Sequence, residues 1–285
     1  MTAKQISFRK LMASGELVRV AGAHDALGST LAQQAGFQAV WASSLEVSAS
    51  RCLPDASVLT MTEYLAAAAN MQKAIGIPVV ADVDTGYGNN LNVAHMVHEY
   101  EAAGITAVCI EDKLYPKVNS FAAAAQDLLP TADFVRKIET AKAAQRGEDF
   151  YVIARCEALI SQLGVAEALE RCYAYADGGA DAILIHSKRR DQSEIVAFLD
   201  GWDGRRPIVI VPTTYPQWSA AEAEKHGVSV VIYANQGLRA TVQALRSTFG
   251  TIFSDGTSLG VEDEIAPVSD VFDLQKLDDW LALEA

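Results

Sequence analysis

Eight short apolar runs rich in β-branched residues, each followed by a stretch with apolar residues at helical spacing, restrict the fold more than any other feature of the chain. The first run is LVRVAGAHD (17–25), followed by the helix-like ALGSTLAQQ, and the second is FQAVWAS (37–43). A Ser-rich loop carrying Pro54 and Asp55 leads to the helix TMTEYLAAAANMQKAI. Next comes IPVVADVD (77–84), where Pro78 fits only the start of a strand. LNVAHMVHEYEAAG reads as a helix that stops at Gly104, ahead of TAVCIED (106–112). FYVIARCE (150–157), DAILIHS (181–187), RPIVIVPT (206–213) and VSVVIYAN (228–235) complete the count, bridged by segments such as VAEALERCYAYADGG.

Strands that are apolar throughout and alternate with helices predict a parallel sheet covered on both faces, and eight such units close into a (β/α)8 barrel. An open doubly wound sheet is the alternative, and no GxGxxG follows the first strand to support its dinucleotide-binding form. The 285 residues fit one barrel domain, 1–285. Segment 267–285 lies beyond the eighth unit and places Val271, Leu274, Leu277 and Leu281 at helical spacing, predicting an extra amphipathic helix against the barrel or a neighbouring subunit.

With 23 Lys and Arg against 36 Asp and Glu, the chain carries a formal charge of −13 and no basic stripe, which excludes non-specific binding to nucleic acid or to an anionic membrane. An anionic ligand must find local cations. The first residues lack the apolar core of a secretion signal, and no run approaches the roughly 18 apolar residues of a membrane span, so a cytoplasmic protein is expected. Cys52, Cys109, Cys156 and Cys172 form no CxxC pair, which predicts buried free thiols rather than disulfides or a zinc site.

Catalytic groups of a parallel barrel sit at the C-terminal ends of its strands, and here those ends are polar. Strand three closes on Asp82 and Asp84, strand four on Glu111 and Asp112, strand five carries Arg155 and Glu157, strand six ends at His186 and strand eight at Asn235. Side-chain alternation aims Asp82 with Asp84, and Arg155 with Glu157, to one side. Carboxylates crowded in a barrel mouth repel one another unless a cation neutralises them, and hard oxygen ligands select Mg²⁺ or Mn²⁺. Arg155 permits two readings: an ion pair with Glu157, or a fork for phosphate or carboxylate. His186 likewise reads as an ordinary satisfied histidine or as part of a site.

The segment EDKLYPKVNS (111–120) follows ADVDTGYGN and precedes IARCEALI and ILIHSK. Together with WASSLEVSAS, Pro54-Asp55, VPTTYP, VIYAN-x-x-LRA and DVFDLQ, it resembles the phosphoenolpyruvate mutase and phosphonopyruvate hydrolase branch of the isocitrate lyase superfamily, along nearly the whole chain. The resemblance implies a Mg²⁺ site with Asp82 as direct ligand and Asp55, Asp84 and Glu111 holding metal-bound waters. It implies that Ser43, Ser44 and Leu45 bind a small anionic oxyacid together with Ser120, Arg155 and His186. It also implies a gate over the substrate, Lys117 to Ser120 continuing through 121–130, and a catalytic set of Lys117, Asn119, Arg155 and His186. A homodimer or homotetramer that exchanges its C-terminal helix is implied as well.

Lyases of the superfamily carry a Cys in a Lys-x-Cys-Gly-His-like gate, where this chain reads Lys117-Val118-Asn119-Ser120-Phe121, which disfavours carbon–carbon cleavage. By the same resemblance, mutases have Asn at position 119 as this chain does, where the hydrolase typically has Thr, so Asn119 favours the mutase. Two departures bear on substrate choice: Ser44 stands where Gly is usual, and FAAAAQDLLP (121–130) replaces an Asp-Gly-Arg-like stretch. Phosphoenolpyruvate mutase is therefore the activity expected, with phosphonopyruvate hydrolase, another 2-oxo-acid lyase and a non-catalytic ligand-binding barrel as alternatives.

Overall fold

The computed structural model describes residues 6–124 and 126–284; residues 1–5, residue 125 of the expected gate and residue 285 of the expected tail lie outside it. The chain divides into two compact units, Met1–Asn235 and Gln236–Ala285. In the first, eight parallel strands close in sequence order into a barrel: β1 (Val18–Ala23), β2 (Ala39–Ala42), β3 (Val79–Asp82), β4 (Ala107–Glu111), β5 (Tyr151–Cys156), β6 (Ala182–Ile185), β7 (Ile208–Ile210) and β8 (Val228–Tyr233). Each falls within one of the eight runs read from the sequence, so the chain is a (β/α)8 barrel.

The strands lack polar alternation because both their faces are buried. Val79, Val108, Val152 and Ile183 face the helical layer, while their neighbours Val80, Cys109, Ile153 and Leu184 fill the barrel interior. A short α1 (Phe8–Met12), unforeseen from the sequence, places Phe8 fully buried among these interior residues, edge-on to Tyr151 at 5.3 Å. Burying a side chain of that size contributes roughly 1.5–3 kcal/mol.

The connecting helices are α2 (Ala26–Gln34), α4 (Met61–Ala74), α5 (Asn90–Ala102), α6 (Thr131–Ala144), α7 (Gly164–Asp177), α8 (Ser193–Gly201) and α9 (Ala220–Lys225). One further helix, α3 (Ser44–Ser50), corrects the expected Ser-rich loop. It carries little apolar periodicity, and its start is fixed by a cap: the Ser43 hydroxyl accepts from the Glu46 backbone N–H at 3.3 Å.

The second unit holds α10 (Gln236–Asp255), α11 (Val268–Gln275) and α12 (Leu277–Leu281). The tail is thus two helices and not the one expected, broken where Lys276 takes a left-handed conformation at φ 54°. Three of the cysteines are buried as expected, whereas Cys52 is exposed, and all four are free. Among the described residues no helix is long and apolar enough to cross a membrane.

Candidate active site

Strand register places the acids. Asp82 closes β3 beside Cys109, and Glu111 closes β4 beside Arg155. Asp82 accepts from two donors: the Ser44 hydroxyl at 2.9 Å on Oδ2, and the Asp84 backbone N–H at 3.3 Å on Oδ1. Asp84 lies past the strand end with a left-handed φ of 47°, a conformation that costs a non-glycine residue roughly 1–2 kcal/mol. Gly86 completes the turn at φ +82°, where a Cβ would stand 2.6 Å from Val93 Cγ2, so no other residue fits.

Burial raises the Asp84 carboxyl to about 6 and Glu111 to about 7, against the opposing pull of Lys117 on the first and Arg155 on the second. Glu111 Oε1 is buried without a hydrogen-bond partner, and Asp84 Oδ1 lies 3.0 Å from Lys117 Nζ in an ion pair outside hydrogen-bond geometry. A cluster of under-neutralised carboxylate oxygens fits a hard divalent cation such as Mg²⁺ or Mn²⁺. Among the described residues no three acid, His or Cys side chains are gathered as ligands to one point. Mg²⁺ usually keeps several waters and takes one or two protein carboxylates, so it does not require such a cluster.

Lys117 bridges the two outer acids, 2.5 Å from Asp55 Oδ1 and 3.0 Å from Asp84 Oδ1. Its charge outweighs burial and holds the Asp55 carboxyl below the ordinary carboxylate range. Asn119 binds the same residue twice, through Nδ2 to Asp55 Oδ2 at 2.6 Å and through its backbone N–H to the Asp55 carbonyl at 2.9 Å. The gate is thus drawn down onto Asp55.

Across the chamber a second knot holds the gate. Ser120 Oγ donates to Glu157 Oε2 at 2.6 Å and accepts from Lys113 Nζ at 2.7 Å and from Arg155 Nη2 at 3.0 Å. Arg155 Nε meets Glu157 Oε1 at 2.5 Å and Glu111 Oε2 at 3.4 Å, so the ion pair read from the sequence exists, on a guanidinium that also lines the chamber. Glu157 is buried, but the charges of Arg155 and Lys113 outweigh that and keep it ionised. His186 is 2 % exposed and its Nδ1 has no hydrogen-bond partner. Burial, then Arg155, push its pKa down to about 3, leaving a neutral imidazole.

Asp112, grouped by sequence with the other strand-end acids, is turned away from them. Adjacent residues of a strand face opposite ways, and its carboxylate instead accepts from Tyr175 Oη at 2.6 Å and the Glu157 backbone N–H at 2.9 Å. It anchors the foot of the gate, where the Asp112 carbonyl accepts from the Leu129 N–H at 2.8 Å and Lys113 pairs with Leu128 as an antiparallel bridge.

Of the residues singled out from the sequence, Ser43, Ser44, Leu45, Asp55, Asp82, Lys117, Asn119, Ser120, Arg155 and His186 line one chamber at the C-terminal mouth of the barrel. Glu111 does not line it, and Asp84 instead lines a neighbouring cavity with Ser57, Tyr87, His95 and Tyr115. Asn235, at the end of the eighth run, and Phe121, of the expected gate, line it as well, and Trp41, Val211, Thr213 and Ala234, not singled out from the sequence, complete the wall. Lys113 was also missed, although it directly follows the strand-four acids.

The chain matches the family described as phosphoenolpyruvate phosphomutase over residues 8–253. It is 43 % identical over 284 residues to a phosphonopyruvate hydrolase from Variovorax sp. (strain Pal2), covering 99 % of this chain and 98 % of that protein. Among solved structures, a phosphoenolpyruvate phosphomutase from Streptomyces platensis subsp. rosaceus superposes with a TM-score of 0.95 at 54 % identity, over 97 % of this chain and 96 % of the other. A phosphonopyruvate hydrolase in complex with oxalate and Mg²⁺ gives 0.92 at 42 % identity over 97 % and 96 %.

Proposed function

The chain belongs to the phosphoenolpyruvate phosphomutase family of the isocitrate lyase superfamily, and on that premise we propose that it interconverts phosphoenolpyruvate and phosphonopyruvate. The observation that carries the choice is Asn119, which lines the chamber with Arg155 and His186 at the position where the resemblance gives the hydrolase Thr and the lyases Cys. The phosphorus–carbon bond of phosphonopyruvate breaks with its electron pair left on a pyruvate enolate, and the phosphoryl group rejoins at the enolate oxygen. Atoms and charge balance without an added proton or nucleophile.

Asp82 is the proposed direct ligand of Mg²⁺, with Asp55, Asp84 and Glu111 around its waters. The bound cation would stabilise the enolate's negative charge. The chain's own groups do the rest. Ser43, Ser44 and Leu45, at the start of α3, hold the carboxylate and oxo end of the substrate. Arg155 supplies fixed positive charge to the migrating group, whose loose transition state asks chiefly for positioning. His186, being neutral, serves as a hydrogen-bond donor and not as a cation. Lys117 and Asn119 exchange their contacts with Asp55 for the substrate, and the closed gate keeps water from the phosphoryl group.

A hydrolase is the second reading, favoured by the 43 % identity to a phosphonopyruvate hydrolase. The products separate the two: phosphonopyruvate becomes phosphoenolpyruvate under the first reading, and pyruvate with inorganic phosphate under the second. The same account takes the protein as a cytoplasmic homodimer or homotetramer that exchanges its tail between subunits.

A further inference from the structure

We propose that Phe121 determines the outcome of phosphoryl transfer by capping the chamber over His186 and shutting water out. The inference rests on the mutase reading and gives Phe121, until now only a member of the expected gate, a part of its own. Four gate residues line the chamber among those described: Lys117, Asn119, Ser120 and Phe121. Three are polar, and Phe121 is the apolar one.

Its placement is fixed from two sides. The ring stands edge-on to the His186 imidazole, with centroids 5.4 Å apart and planes at 89°. Its backbone N–H donates at 2.9 Å to Asn119 Oδ1, the other end of the amide whose Nδ2 grips Asp55. Positioning the amide therefore positions the ring. Ala122, Ala123 and Ala124 follow it and carry no side chain long enough to take its place.

His186 is the group this ring packs against. An imidazole at a barrel mouth is ordinarily wet, yet this one is 2 % exposed with a nitrogen left unpartnered. Phe121 is itself 43 % exposed, with one side against His186 and the remainder toward solvent, as a lid requires. A loose, metaphosphate-like group beside His186 is captured by whichever nucleophile reaches it first, so an apolar cap favours the enolate over water.

The test follows phosphonopyruvate with Mg²⁺ by phosphorus NMR for the wild type, Phe121→Ala and Phe121→Leu, reading the ratio of inorganic phosphate to phosphoenolpyruvate. Because Phe121 is partly exposed, neither variant is expected to unfold, and thermal melts check this. The expected result is a phosphate share at least about tenfold higher in Phe121→Ala, with Phe121→Leu close to the wild type. A Phe121→Ala variant that turns over at any rate with an unchanged ratio overturns the role of Phe121 and leaves the mutase reading standing. Wild-type protein that forms no phosphoenolpyruvate overturns the mutase reading, and the inference falls with it.

Discussion

Lys117 Nζ lies 2.5 Å from Asp55 Oδ1, in a pair whose two side chains are each under 5 % exposed, so the gate's ammonium holds charge against the acids assigned here to a cation's waters. On the proposed assignment, gate and metal address the same carboxylates. Replacing Lys117 by Met removes the internal competitor. The Lys117→Met protein should bind Mg²⁺ roughly tenfold more tightly in calorimetry without substrate, a typical size for coupling between competing ligands. Its turnover should fall at least about a hundredfold. Weaker Mg²⁺ binding in this variant would show that Lys117 supports the metal site instead.

Ser44 donates to Asp82 at 2.9 Å, which makes it a support for the proposed direct ligand as well as part of the chamber wall. Outer groups of this kind are commonly worth 10- to 100-fold in metal affinity. Ser44→Ala is expected to weaken Mg²⁺ binding by about tenfold, and calorimetry showing wild-type affinity would remove it from that role.

Protonation couples to the same site. Glu111 and Asp84 are held at about 7 and about 6, above the usual carboxylate values, so the metal-free fold binds their protons more tightly than the unfolded chain does. These two groups therefore favour the metal-free fold as pH falls from about 7, and disfavour it above. Mg²⁺ needs the ionised forms, so its binding releases protons and strengthens with pH. The rise in melting temperature on adding Mg²⁺ should be larger at about pH 8 than at about pH 5. Equal rises at both would contradict the acid cluster as the metal site.

Asn119 reaches Asp55 through its side chain and its backbone, and only the side chain is assigned to substrate. Asn119→Ala should lose turnover by a factor on the order of 10² while Mg²⁺ affinity stays within about threefold. Loss of Mg²⁺ binding on the same scale would assign Asn119 to the metal site instead.

How legible this was in the sequence differs from residue to residue. The barrel was readable because strands buried on both faces appear as unbroken apolar runs such as IPVVADVD, and period and length identify them. The placement of Asp82, Glu111 and Arg155 at adjacent strand ends was readable because charged groups closing apolar runs mark where those runs stop. Asp55 was not, since nothing in a Ser- and Pro-containing loop says where it folds, and only resemblance singled it out. Asp112 was counted with the strand-end acids, and the alternation carried one residue past Glu111 is what turns it away from them. The helix α3 escaped because its start depends on the Ser43 cap and not on apolar spacing. Lys113 and the roles of Ser120 and Glu157 as one knot depend on contacts 37 and 44 residues apart in sequence, which no local pattern reveals.

The central claim is that the chamber moves a phosphoryl group within one substrate and does not hand it to water. A phosphorus NMR time course of phosphonopyruvate with the protein and Mg²⁺ tests it most directly, with pyruvate assayed alongside. The account predicts that the phosphonate resonance is replaced by that of phosphoenolpyruvate, with no matching release of pyruvate. Inorganic phosphate appearing with an equal amount of pyruvate, or a phosphonate signal that does not change, would contradict it.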